Sequence, residues 1–244
     1  MGVRMRKLSK NLPKCLLKIG ERTVIHNLVN SLIVAGFSDI VVSTRKEFVA
    51  ILENALVEYR KLGCNIRIIE NNGHKKSAVH ALANISKLTE IKEPFLLLLS
   101  DIFYLGNPFI NLSFNPGKDI IYGAEPGYML NKAKEGIIKK GCQKKVVRIT
   151  KFVQADPNDL RWSGMAICGK LFWRDLTNFV ANKNKSTRLN LEDIFQNRVN
   201  NGREVYAAKT PNFINVNRPR DLIATRILNY LVKSKLKYGE INYH

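Results

Sequence analysis

The stretch "VIHNLVNSLIVAGFSDIVVST" (Val24–Thr44) carries two periodicities in succession. In its first part Ile25, Leu28, Val29, Leu32 and Ile33 recur at i, i+3, i+4, i+7 and i+8, the spacing of a helix with one apolar face. Gly36 closes that pattern, as glycine commonly does just past a helix. The period then shortens, and "DIVVST" (Asp39–Thr44) is a β-branched run of strand length. A helix over Val24–Phe37 joined to a strand by a few residues is half of a βαβ unit.

Further along, the unit repeats. Phe48–Leu62 returns to helical spacing, "NIRIIE" (Asn65–Glu70) is a second strand, His74–Leu88 a helix, and Phe95–Leu99 a fully apolar strand. The alternation predicts an α/β fold, a Rossmann-like and mostly parallel sheet with helices on both faces. After Asp101 the rhythm changes. "DIIYGAE" (Asp119–Glu125), "GIIKKG" (Gly136–Gly141) and "KVVRITKF" (Lys145–Phe152) read as strands joined by turns. "SGMAICG" (Ser163–Gly169), helices near Leu171–Val180 and Leu191–Asn201, a strand at Glu204–Ala208 and a helix from Pro219 to about Lys235 complete a smaller, β-rich half. With no repeat and no long linker, residues 1–244 read as a single domain divided near residue 105.

A chain of 244 residues, 45% hydrophobic and 25% charged, has the composition of a folded globular protein. Its longest apolar run, Phe95–Leu99, is far too short to span a bilayer, and no apolar segment of signal-peptide length follows the charged start. The expectation is a cytoplasmic protein. Cys15, Cys64, Cys142 and Cys168 are widely spread, without a C-x-x-C, which argues for reduced thiols and against a zinc module or a disulfide framework. The net charge of +20 attracts phosphate-bearing partners. That charge is diffuse and lacks the interleaved aromatics of a base-stacking platform, so a small phosphorylated substrate is favoured over nucleic acid.

Two segments carry the candidate chemistry. In open parallel sheets, ligands bind beyond the carboxyl ends of strands, where "FLLLLSD" delivers Asp101. There Asp101 either holds a Mg²⁺ beside a bound phosphate or caps the following turn. The opening stretch "MGVRMRKLSKNLPKCLLKIG" is either a solvated basic arm or part of a polyphosphate loop. Gly2 permits close backbone approach, Arg4 can grip two phosphate oxygens, and the rigid Pro13 aims Lys14 as a compact charge.

The order and spacing of Gly2, Arg4, Met5, Leu8, Ser9, Pro13 and Lys14 resemble the signature loop of the sugar-1-phosphate nucleotidyltransferases. "LSD" (Leu99–Asp101) is similar to the family's strand ending in a metal-binding aspartate. "RWSGMAI" (Arg161–Ile167) resembles its segment near the sugar, and "NFINVNRPRDL" (Asn212–Leu222) its aromatic-x-Asp-x-x-x-Pro-x-Asp-Leu ending. The resemblance spans nearly the whole chain in the correct order. It implies a nucleotide-binding half, 1–105, and a sugar-phosphate-binding half with the C-terminal helix, 106–244.

The implied reaction joins a nucleoside triphosphate to a sugar 1-phosphate, giving a nucleotide-sugar and pyrophosphate, by positioning and charge neutralisation. By the same resemblance Gly2, Arg4 and Ser77 bind the nucleotide, and Arg4, Lys14 and Lys151 act on the phosphates. Lys151, Ser163 and Gly164 meet the sugar phosphate, while Asp101 and Asn215 hold Mg²⁺. The implied partners are the two small substrates, with neither membrane nor nucleic acid, and a homo-oligomer is compatible with the sequence.

The chain departs from the family pattern at several points. The family's first strand and the first half of its glycine loop are expected to be absent before Met1. Asn215 stands for the second metal aspartate, Thr150 and Phe152 flank Lys151, Trp162 precedes Ser163, and Lys76–Ser77 replace Gly-Thr. An impaired nucleotide or sugar-phosphate binder is therefore the alternative reading, and a basic nucleic-acid-binding protein a further one. His26 and His80 read as ordinary helix residues, Trp162 and Trp173 as packing residues. Glu192–Asp193 read as charges suited to the positive end of a helix, and "KSKLKYGEINYH" (Lys233–His244) as a solvated tail.

Overall fold

A computed structural model describes residues 12–110, 112–125, 136–151, 155–183 and 189–237, with side chains as far as residue 232. In chain order the elements are β1 (Lys18–Ile19), β2 (Arg22–Thr23), α1 (Val24–Val34), β3 (Asp39–Thr44), α2 (Val49–Lys61) and β4 (Asn65–Glu70). Then follow α3 (Ala78–Leu88), β5 (Phe95–Leu98), β6 (Ile102–Tyr104), β7 (Asp119–Ala124), β8 (Ile137–Lys140), β9 (Val146–Thr150) and β10 (Leu160–Cys168). α4 (Phe172–Ala181), α5 (Leu191–Asn200), β11 (Val205–Lys209), β12 (Phe213–Asn215) and α6 (Pro219–Lys237) complete the order. The α/β alternation read from the sequence is thus present.

The described residues fall into two compact units, one within Met1–Phe37, Leu99–Asn111 and Pro211–His244, the other within Ser38–Leu98 and Leu112–Thr210. The units interleave along the chain and do not coincide with the halves 1–105 and 106–244.

In the first unit, Thr23 caps α1 by accepting the His26 N–H on its hydroxyl. Gly36, at φ +88, lets the helix end with Gly36 N–H on the Ile33 carbonyl and Phe37 N–H on that of Leu32. Ile25, Leu28, Val29 and Leu32 are buried as the spacing predicts. β6 and β12 form a two-stranded antiparallel ribbon with Asn215 opposite Ile102. Leu17, Ile19, Val24, Phe103, Val216 and Leu222 form a buried apolar cluster from all parts of this unit.

The second unit holds a parallel pair, β3–β4, and a mixed six-stranded sheet ordered β11-β7-β10-β8-β9, with β5 also on β10. β11 runs parallel to β7, whereas β10 is antiparallel to β5, β7 and β8. β5, fully apolar in sequence, is only half-buried, and among the described residues its strand neighbour is β10. The core lies where β10 meets α4 and α5: Met165, Ala166, Ile167, Phe172, Leu176, Ile194 and Phe195 are closed to solvent.

One buried ionic network ties that core together. Arg198 of α5 donates to both carboxylate oxygens of Asp119 at the start of β7, and to Asp175 of α4 at 2.5 Å. Gly169 N–H also donates to Asp119, at 2.7 Å, and Arg203 grips Asp175 with two nitrogens. Burial pushes the Asp119 carboxyl up from its ordinary value, and Arg198 partly offsets the push.

Candidate functional site

Each unit carries one cluster of the sequence-selected residues. In the first, Pro13 sits at φ −65 and ψ 147, immediately before a 3₁₀ turn over Lys14–Leu16. The turn buries Cys15 and Leu16 and leaves Lys14 at the surface of the cluster. The Lys14 ammonium lies 3.3 Å from Asp101 Oδ2 and also donates to Asn217 Oδ1. Asn217 Nδ2 donates in turn to Asn215 Oδ1.

Backbone pairing brings these residues together. Val216 N–H donates to the Asp101 carbonyl at 2.8 Å, one step beyond the Asn215–Ile102 pair of the ribbon. Asp221, in the first turn of α6, accepts the N–H groups of Asn217 (3.0 Å) and Arg218 (2.7 Å). This is the carboxylate half of a capping box, and it fixes the segment leading into the helix. Burial, with help from the Asp101 charge, pushes the Cys15 thiol up to about 12, so Cys15 is an inert packing thiol.

The second cluster lies in the other unit. Lys151 follows β9, and its ammonium lies 3.1 Å from Glu192 Oε2 and 3.4 Å from Asn190 Oδ1. Asn190 and Asp193 form a capping box that starts α5, which turns Glu192 inward until its side chain is 4% exposed. Gly136 makes room: a Cβ there would stand 2.8 Å from Glu192 Oε1. Burial raises the Glu192 carboxyl above its ordinary value, and Lys151 pulls in the opposite direction.

Ser163 and Gly164 sit where the register of β10 against β7 shifts, a β-bulge in which Gly164 takes φ +73. The Ser163 hydroxyl is buried and donates to the Tyr122 carbonyl at 2.8 Å. Trp162 is buried, its Nε1 on the Met165 carbonyl and its ring edge-on to Phe195. Ser77 caps α3 by accepting the His80 N–H, with its hydroxyl 2.8 Å from His80 Nδ1. Gly2 and Arg4 lie outside the described residues.

Sequence reasoning passed over Asn217, Asp221, Asn190 and the inward role of Glu192. Asn217 and Asp221 stand inside a stretch already singled out, so proximity to Asn215 was a usable signal. Glu192 gave none, because its partner Lys151 is remote in the chain. No group of three His, Cys, Asp or Glu suited to a metal occurs among the described residues. Among them also, no helix is long and apolar enough to cross a membrane.

The family model described as nucleotidyl transferase matches residues 1–213. The chain belongs to the nucleotidyl transferase family. No curated protein matches the chain in sequence. Among solved structures it is similar to the inositol-1-phosphate CTP transferase from T. maritima, with TM-score 0.75 and 17% identity over 95% of this chain and 92% of that one. It is also similar to UDP-glucose pyrophosphorylase complexed with UDP-glucose, with TM-score 0.75 and 17% identity over 94% and 95% of the two chains. The CTP:phosphocholine cytidylyltransferase from Streptococcus pneumoniae follows with TM-score 0.71 and 15% identity over 93% and 94%. At such identities these neighbours show a shared fold.

Proposed function

We propose that this chain transfers a nucleoside monophosphate from a nucleoside triphosphate to a sugar 1-phosphate, releasing pyrophosphate. The observation that carries the reading is the meeting of Lys14, Asp101, Asn215 and Asn217, four residues from three remote segments, at one end of the β6–β12 ribbon. In-line phosphoryl chemistry asks for placed cations and a metal-holding carboxylate rather than a covalent nucleophile. Lys14 and Arg4 bind the triphosphate and neutralise charge on the pyrophosphate as it leaves. Lys151, held by Glu192 and Asn190, binds the acceptor's phosphate.

The donor set suits a hard cation: the Asp101 carboxylate and the Asn215 amide oxygen are of the type Mg²⁺ accepts, with phosphate oxygens supplying the remainder. Mg²⁺ bound there would neutralise developing phosphate charge. Gly2 and Ser77 belong with the nucleotide on this reading, and Ser163–Gly164 support the sugar-side backbone through the bulge. The cytoplasm, where triphosphates are made, is the setting that suits it.

The test is pyrophosphate release from each nucleoside triphosphate in turn, with Mg²⁺ and a panel of sugar 1-phosphates. One pairing is expected to turn over, and Asp101→Ala to lower its rate by about a hundredfold or more. Thermal stabilisation by a triphosphate without any pyrophosphate release would replace the enzyme with a nucleotide binder. Tight nucleic-acid binding indifferent to Asp101→Ala would replace both.

A further inference from the structure

Lys14 faces the carboxylate that the proposed function assigns to Mg²⁺. Among the described residues its ammonium contacts one carboxylate, Asp101, and one amide oxygen, that of Asn217. The second amide oxygen nearby, Asn215 Oδ1, already accepts from Asn217 Nδ2. The formal charges of Lys14 and Asp101 cancel, and both side chains keep access to solvent, 22% and 26% exposed. Mg²⁺ is reluctant to shed water and is held in nucleotide sites by one or two carboxylates together with phosphate oxygens. A single carboxylate with an ammonium against one oxygen offers a divalent ion little attraction and a direct repulsion.

We infer that Lys14 is the built-in counter-ion of Asp101 in the nucleotide-free protein, and that a divalent cation gains this carboxylate only when a polyanionic ligand draws the ammonium away. The backbone around Lys14 is set by Pro13 and the 3₁₀ turn, while the ammonium rides on a flexible four-carbon stem. Its other acceptor, Asn217, has its backbone N–H on Asp221 and its side-chain amide on Asn215 Oδ1, contacts that do not involve Lys14. A triphosphate has enough anionic oxygens for the ammonium and the metal at once, so its arrival relieves the repulsion that excludes the ion. The order is ligand with metal, rather than metal first. The counter-ion half of the inference stands on Lys14 and Asp101 alone, and the ordering half rests on the proposed triphosphate site.

Mn²⁺ titrations of the full chain, followed by loss of the free-ion electron paramagnetic resonance signal, separate the two halves. Without nucleotide, the wild type is expected to bind Mn²⁺ weakly, and Lys14→Ala to tighten that binding by about tenfold or more. Lys14→Gln, which keeps a donor for Asn217 without the charge, is expected to tighten it likewise and guards against a local packing effect. Adding Asp101→Asn to either variant is expected to abolish the gain, and circular dichroism identifies any variant that has not folded. Wild-type binding within twofold of that of both variants, or a gain that survives Asp101→Asn, overturns the counter-ion.

Repeating the wild-type titration with a saturating triphosphate, read by water-proton relaxation enhancement against a protein-free Mn²⁺–triphosphate control because the triphosphate alone quenches the free-ion signal, is expected to place Mn²⁺ on the protein. If the nucleotide-free arm succeeds and this arm shows no protein-bound ion, the triphosphate reading fails and the counter-ion stands.

Discussion

Glu192 has almost no contact with water, and its carboxyl titrates above its ordinary 4.5 because burial outweighs the pull of Lys151. A raised folded-state value means that the folded chain binds more protons than the unfolded one between the two values. Stability from this group is therefore complete below the unfolded value and declines as pH rises through the folded one. Glu192→Gln is expected to remove that part of the decline. Thermal melts of both proteins at intervals across the acidic range read it as a difference in slope, and parallel slopes would contradict it. On the proposed reading the ion pair also holds Lys151 for the acceptor's phosphate, so the same variant bears on that side of the proposed reaction.

At the scale of elements, β10 is organised by two departures from regularity. The bulge at Ser163–Gly164 uses a left-handed backbone that only glycine takes without strain, and it turns the Ser163 hydroxyl onto the Tyr122 carbonyl. Gly164→Ala is expected to cost about 1 kcal/mol or more in urea unfolding. The larger effect belongs to the network joining α5, α4 and β7. Asp119 and Arg198 are at most 3% exposed, and removing Arg198 leaves Asp119 in the interior without a cationic partner, while Arg203 still grips Asp175. Arg198→Ala is expected to lose about 3–5 kcal/mol by the same measurement, well beyond the bulge variant. A smaller loss for Arg198→Ala than for Gly164→Ala would show that the network carries little stability.

For the whole molecule, a net charge of +20 sets a long-range field that no single contact expresses. It favours encounter with any phosphorylated ligand and weakens as salt screens it. On the proposed reading, the association rate of a triphosphate should fall by about tenfold as salt rises into the molar range, while dissociation changes less. Stopped-flow titration checks this, and a salt-independent association rate would assign the charge to solubility rather than to capture.

The sequence by itself determined the elements whose evidence is local. α1 with its terminal Gly36, β3, β4 and the order of the α/β alternation all follow from periodicity and end signals, since neighbours in the chain supply the energetics. Family membership was legible for the same reason, because motif residues keep their spacing along the chain. Tertiary structure alone decided what depends on remote partners. β6 and β12 are three residues each and become strands only by pairing with one another. Asn217 reaches Lys14 across 203 positions, and Glu192 turns inward because Lys151 and Gly136 wait there, distances over which a one-dimensional pattern carries no signal.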